Sequence, residues 1–247
     1  MSAPSLDSRS FILSAELQRD KVASLEAYPF NLPALRSLET LPLNQAVTFL
    51  VGENGSGKST LVEGLAVALG FNAEGGSRNF NFATRPSHSD LGRHLRIARS
   101  HRRPQTSYFL RAESFYNVAT EIERLDPSLL DAYGGTSLHE QSHGESFLAL
   151  ILNRFGPEGL YLLDEPEAAL SPARQLTLLA RMHQLIQQGS QFIIATHSPI
   201  LMAYPGAKIY GLGENGIAPV AYEDTEHFQL TRQFLNNPAG IMRELFR

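Results

Sequence analysis

Gly52-Glu53-Asn54-Gly55-Ser56-Gly57-Lys58-Ser59-Thr60 is the stretch from which the fold of this chain can be read. It has the GxxxxGK[ST] spacing of a phosphate-binding loop (Walker A), in which consecutive backbone N–H groups cradle a polyphosphate. Glycines at 52, 55 and 57 let the backbone curl so that those N–H groups and the positive end of the following helix converge on one spot. The flanks are the ones such a loop requires. Residues 46–51 (AVTFLV) read as a buried strand, and residues 58–69 (KSTLVEGLAVAL) as a helix stopped at Gly70. Lys58 is placed to reach the β- and γ-phosphates, Ser59 to offer a hydroxyl to Mg²⁺, and Thr60 to support the α-phosphate. The expected ligands are therefore a nucleotide polyphosphate and Mg²⁺. The competing reading, a glycine-rich turn with no ligand, leaves the strand and helix on either side without a purpose.

A second motif lies about a hundred residues further on, where the strand 159–163 runs into Asp164-Glu165-Pro166 (Walker B). A carboxylate at the end of a parallel strand faces the crevice in which α/β folds bind ligands. Asp164 is expected to hold the Mg²⁺ shell and Glu165 to take a proton from an attacking water. Ser171 reads as an N-cap with Pro172 at the first helical position, opening a helix that Gly189 closes. The next strand, 191–196 (QFIIAT), delivers His197 to the same edge, where an imidazole can meet a γ-phosphate or hold the water in line.

The order phosphate loop, Gln141-Ser142-His143-Gly144-Glu145-Ser146, LYLLDEPEAALSP, then IIATHSP resembles the ABC-type ATPases over residues 30–205. That resemblance implies an α/β P-loop NTPase with a mostly parallel sheet, N-terminal antiparallel strands and a small helical lobe, the ABC-type nucleotide-binding domain. It implies one domain over 1–247, with a helical, arginine-rich lobe at 77–150 inserted ahead of the Walker B strand. It also implies a signature loop that binds the γ-phosphate of the opposite subunit, so that two chains sandwich two ATP molecules. Ser142, Gly144 and Glu145 occupy the signature positions here, with His143 in place of the first glycine and Glu145 in place of glutamine. Ser142 also reads as an ordinary helix N-cap. His197 corresponds to the switch histidine. The family's glutamine is missing after the strand 106–112; Glu113 stands there, either as a contact to Mg²⁺ or water or as the first acid of a helix 113–125. Tyr28 or Phe30 is the expected adenine platform, with Arg36 a weaker candidate for a nucleotide contact.

Composition bounds the rest. A chain of 247 residues with 43% hydrophobic content and a net charge of −4 can bury one good core or a core with a small lobe. It has no cysteine, which removes disulfides and thiolate metal sites and fits a reduced, cytoplasmic setting. The longest apolar run, 147–152, is far too short for a membrane span, so no membrane insertion is expected. The roughly seventy residues between the loop and position 141 are too few for a long coiled-coil arm. Residues 78–111 hold eight of the 21 basic residues and one acid, Asp90. Such a strip either neutralises DNA phosphates or pairs with acids of its own chain. Beyond Lys208 the sequence reads as two strands joined by a Glu214-Asn215-Gly216 turn, then one or two helices.

The expected function is ATP binding and hydrolysis by a stand-alone ABC-type ATPase that closes as a homodimer and drives a conformational cycle on a DNA or protein partner. The alternatives are the nucleotide-binding subunit of a transporter, a P-loop kinase acting on a small molecule, and an ATP switch that does not turn over.

Overall fold

Strands that are mostly apolar on both faces, as 47–51, 159–163 and 191–195 are, belong inside a sheet covered on both faces. In the computed structural model, which describes residues 10–77, 89–115 and 143–247, they do. The strands are β1 (Ile12–Leu17), β2 (Thr40–Pro42), β3 (Val47–Val51), β4 (Leu95–Arg99), β5 (Thr106–Arg111), β6 (Gly159–Asp164), β7 (Gln191–Ala195), β8 (Lys208–Gly213) and β9 (Gly216–Pro219). The longer helices described are α1 (Lys58–Ala68), α2 (His143–Arg154), α3 (Pro172–Gln187), α4 (Glu226–Asn236) and α5 (Pro238–Leu245).

The main sheet has the order β5-β6-β7-β3-β8-β9. All neighbours are parallel except the β8–β9 hairpin, where Gly213 faces Gly216 across the turn. Alternate residues of each strand feed two cores. Leu160, Leu162, Ile193 and Ala195 pack with α1 on one face, and Tyr161, Leu163, Phe192 and Ile194 pack with α2 and α3 on the other. A separate antiparallel sheet, β2-β1-β4, covers the first core from outside.

Gln191 joins the two sheets. Its carboxamide is buried at the start of β7, accepts from the backbone N–H groups of Phe11 and Ile12, and donates to the carbonyls of Ile12, Leu43 and Gln45.

The segment expected as a helical lobe differs in part. Residues 95–99 are strand β4, pairing antiparallel with β1, and β5 pairs with β6 in the main sheet. The reason is local: Leu95 and Ile97 alternate with Arg96 and Ala98, a period of two that one sheet face satisfies. Of the expected helix 113–125, Glu113 lies in a turn and residues 116–125 fall outside the described residues. The C-terminal helices α4 and α5 contribute no buried residue, so packing into the core is not what holds them.

Candidate functional site

The main sheet brings four chain segments to the edge formed by the C-terminal ends of its strands: the loop after β3, Arg111 ending β5, Asp164 and Glu165 after β6, and His197 just beyond β7. Each follows a strand whose position is set by burial, so the functional side chains stand on rigid supports.

The loop begins where the backbone has no room for a side chain. A Cβ at Gly52 would lie 2.3 Å from the carbonyl oxygen of Leu212 on β8. Gly57, at φ 97°, is the N-cap of α1 in a left-handed conformation that glycine adopts without steric cost. Lys58 is buried and donates from Nζ to the carbonyls of Gly52 (2.8 Å) and Glu53 (3.0 Å), closing the loop on itself. Burial lowers the Lys58 pKa, and the charges of Glu165, Asp164 and Glu167 oppose that shift.

Two adjoining cavities flank the loop. The first, about 250 Å³, is lined by Tyr28, Leu32, Asn54, Gly55, Gly57, Lys58, Ser59, Thr60 and Glu165. The second, about 340 Å³, is lined by Ser59, Ala112, Glu113, Asp164, Glu165, Ala168 and Ala169. Ser59 and Glu165 line both. Between the two candidate aromatics the structure makes a clear distinction. Phe30 is core, packed edge-on to His94 at 5.1 Å, whereas Tyr28 is 64% exposed on the rim with its hydroxyl 3.4 Å from Thr60 Oγ1. Arg36 lines neither cavity and is paired with Glu26 at 2.9 Å.

Asp164 is buried. Its Oδ1 has no hydrogen-bond partner, and its Oδ2 lies 3.4 Å from Nε of Arg111. Burial raises its pKa to about 6, against the pull of the Arg111 guanidinium and a hydrogen bond from Ser59. Arg111 also reaches Glu63 on α1 at 3.1 Å and Glu113 at 3.5 Å. An orphaned carboxylate oxygen beside a serine hydroxyl, both facing one cavity, fits a small divalent cation that takes few protein ligands and completes its shell with water and phosphate. Among the described residues no group of three or more His, Cys, Asp or Glu gathers as a self-sufficient metal cage. Glu113 lines the same cavity, and its side chain is 89% exposed.

Glu165 sits at φ 49°, ψ 52°, a left-handed conformation that costs a non-glycine residue about 1 kcal/mol or more. The geometry is over-determined: its N–H is fixed to the Ala195 carbonyl at 3.0 Å, and Pro166 disfavours the right-handed alternative. Its carboxylate lies 3.4 Å from His197 Nε2. Glu167, half-buried, holds the turn after β7 by accepting from the His197 N–H (2.5 Å) and the Thr196 hydroxyl (2.8 Å). Burial lowers the His197 pKa, with the nearby Lys58 charge acting in the same direction.

The signature positions lie elsewhere. Ser142 falls outside the described residues. Gly144 opens α2, packed so tightly that a Cβ there would lie 2.4 Å from Arg174 Nη1 and 2.7 Å from the Ala169 carbonyl. Glu145 pairs with Arg174 at 2.9 Å, and neither Gly144 nor Glu145 lines either of the two cavities beside the loop. The sequence reading missed Arg111, Glu63, Glu167 and His227, the last of which touches His197 Nδ1 at 2.8 Å. For Arg111 a signal existed: it ends the strand where the family's glutamine was sought.

Two family models match this chain. One, described as "AAA domain, putative AbiEii toxin, Type IV TA system", covers residues 130–203. The other, "AAA domain", covers residues 30–125. The cobalt import ATP-binding protein CbiO of Salmonella typhimurium is 28% identical over 233 residues, spanning 83% of this chain and 84% of its own. Among solved structures, cbiO1 from Clostridium perfringens, part of the ABC transporter complex cbiONQ, aligns with a TM-score of 0.49 and 18% identity. That alignment covers 95% of this chain and 99% of the other. The SMC head domain from Thermotoga maritima aligns with a TM-score of 0.47 and 15% identity, covering 85% and 99%. The chain carries an ATP-binding domain of the AAA/ABC-type P-loop ATPases.

Proposed function

We propose that this chain hydrolyses ATP to ADP and phosphate, and that it does so as a homodimer closed around the nucleotide. The observation that carries this reading is the place of Glu165: its carboxylate lines both the cavity beside the phosphate loop and the cavity beside Asp164, 3.4 Å from His197.

On this reading the loop N–H groups from Asn54 to Thr60 and the Lys58 ammonium hold the phosphates, and Tyr28 stacks on the base from the rim. Ser59 and Asp164, with Glu113 across the cavity, hold Mg²⁺, which when bound neutralises charge on the phosphate oxygens. Glu165 accepts a proton as water attacks the γ-phosphorus; the bond to the ADP oxygen breaks and ADP leaves. His197 donates from Nε2 to a γ-phosphate oxygen and keeps Glu165 oriented. The chain's own Gly144 and Glu145 line neither cavity. A second copy supplying Ser142, Gly144 and Glu145 completes the site.

The output is a conformational cycle in the cytoplasm on a partner. Four of the six described arginines in the basic strip, Arg93, Arg96, Arg102 and Arg111, pair with Asp90, Glu16, Glu158 and Glu63. That self-pairing favours a protein partner over DNA. The likeness to a cobalt import ATP-binding protein supports a second reading, the nucleotide-binding subunit of a transporter, which predicts co-purification with a multi-span membrane protein.

The test is steady-state phosphate release by purified protein without any acceptor, with Lys58→Ala as blank and with duplex DNA added at low and moderate salt. Release that Lys58→Ala abolishes supports hydrolysis over a kinase or a static switch. Absence of release, or transfer only to an added acceptor, refutes it. Stimulation by DNA that fades as salt rises returns the arginine strip to DNA binding.

A further inference from the structure

His197 Nδ1 lies 2.8 Å from Nε2 of His227, the second residue of α4, with ring centroids 4.9 Å apart and planes inclined by 62°. A hydrogen bond between two imidazole nitrogens carries one proton, so one ring donates and the other accepts. The far side of His197 decides which. Its Nε2 makes no hydrogen bond in the structure but lies 3.4 Å from the Glu165 carboxylate, whose lone pairs a ring lone pair would oppose and an N–H would not. Nε2 therefore bears the hydrogen, Nδ1 of the neutral ring is the acceptor, and His227 Nε2–H is the donor.

We propose that His227 is a positioning residue for His197: it locks the tautomer whose Nε2–H points at Glu165 and at the place of the γ-phosphate. Without it a neutral His197 populates the Nδ1–H form as well, which presents a lone pair to a carboxylate and a phosphate and donates to neither. This rests on the hydrolytic role given to His197 above.

The surroundings of His227 fit this role. The first turn of α4 is tied to the turn carrying His197. Tyr222 donates from its hydroxyl to the Pro199 carbonyl at 3.0 Å and packs its ring on Phe228 at 4.6 Å. The Thr225 hydroxyl donates to the Tyr222 carbonyl at 2.7 Å. Glu167 holds the His197 backbone N–H, which fixes the turn from which the ring projects. The C-terminal helices thus reach the reaction edge through one imidazole.

The experiment uses the full chain in three forms: wild type, His227→Ala, and His227→Gln, whose carboxamide N–H can replace the donor. Imidazole ¹⁵N spectra, with the His197 signals assigned by their loss in His197→Gln, report the tautomer directly. Wild type is expected to show His197 as the neutral Nε2–H form, His227→Ala a mixture of tautomers, and His227→Gln the wild-type form again. In parallel, kcat for phosphate release falls roughly tenfold in His227→Ala while KM for ATP stays within about twofold, and His227→Gln recovers most of the loss. A wild-type His197 protonated on Nδ1, or a His227→Ala spectrum unchanged at His197, overturns the proposal. So does a rise in KM with kcat unchanged. If wild type releases no phosphate, the hydrolytic reading fails and the spectra alone decide the His227 contact. Should His227→Ala not fold, the wild-type tautomer and His227→Gln still give the answer.

Discussion

Asp164 is an acid whose surroundings work against its charge. Burial raises its pKa to about 6, and Arg111 and Ser59 only partly offset this. Between its ordinary value near 4 and that raised value the folded protein binds more protons than the unfolded chain, so stability falls as pH rises through this window. We expect the nucleotide-free protein to lose on the order of 2 kcal/mol between about pH 4 and 6, and Asp164→Asn to lack that component. Urea midpoints of the two proteins across this range give the comparison; parallel curves would mean that Asp164 is ionised throughout. Glu165 is a separate case, because its half-buried carboxylate is the base in the proposed reaction. Glu165→Gln keeps size and hydrogen bonding but not basicity, so hydrolysis should drop by at least about a hundredfold with ATP still bound. Retention of more than a tenth of the rate would move the base elsewhere. The two acids were legible in the sequence because they stand together at the end of an apolar run. The pairing of Arg111 with Glu63 was not, since charge partners 48 residues apart leave no mark on periodicity.

Among the elements, β7 does the most joining. It lies between β6 and β3 in the parallel sheet, and through Gln191 it also holds β1 and the segment before β3. Gln191→Leu would strand two backbone N–H groups and several carbonyls without water, at a cost of about 3 kcal/mol or more. Denaturant titration checks this, and a loss under about 1 kcal/mol would show that water or a shift of β1 replaces the amide. The phosphate loop is equally intolerant. Gly52→Ala places a Cβ against the Leu212 carbonyl of β8, so loop and strand must separate. ATP affinity should fall at least about tenfold in Gly52→Ala, and calorimetry showing wild-type affinity would mean that the loop can relax. These strands were read correctly from their apolar runs. Residues 95–99 were expected in a helical lobe on the family resemblance alone, and their short alternating pattern went unread.

For the whole molecule, the signature residues described, Gly144 and Glu145, line neither cavity beside the loop. That arrangement predicts assembly. Glu165→Gln with saturating ATP and Mg²⁺ should scatter light as a dimer and return to monomer on removal of nucleotide. A monomer under those conditions would remove the closed-dimer mechanism. Among the described residues no helix is long and apolar enough to cross a membrane.

The fold class, the phosphate loop and the strand-end acids could be written down from the chain alone, because each is encoded contiguously: glycines at fixed spacing, apolar runs that must be buried, acids where a run stops. What required the folded molecule was every pairing between distant segments. Tyr28 over Phe30 at the rim, Arg111 beside Asp164, Gln191 across two sheets and His227 on His197 all follow from strand order and from which faces are buried. Those are products of the whole packing, and local pattern carries no record of them.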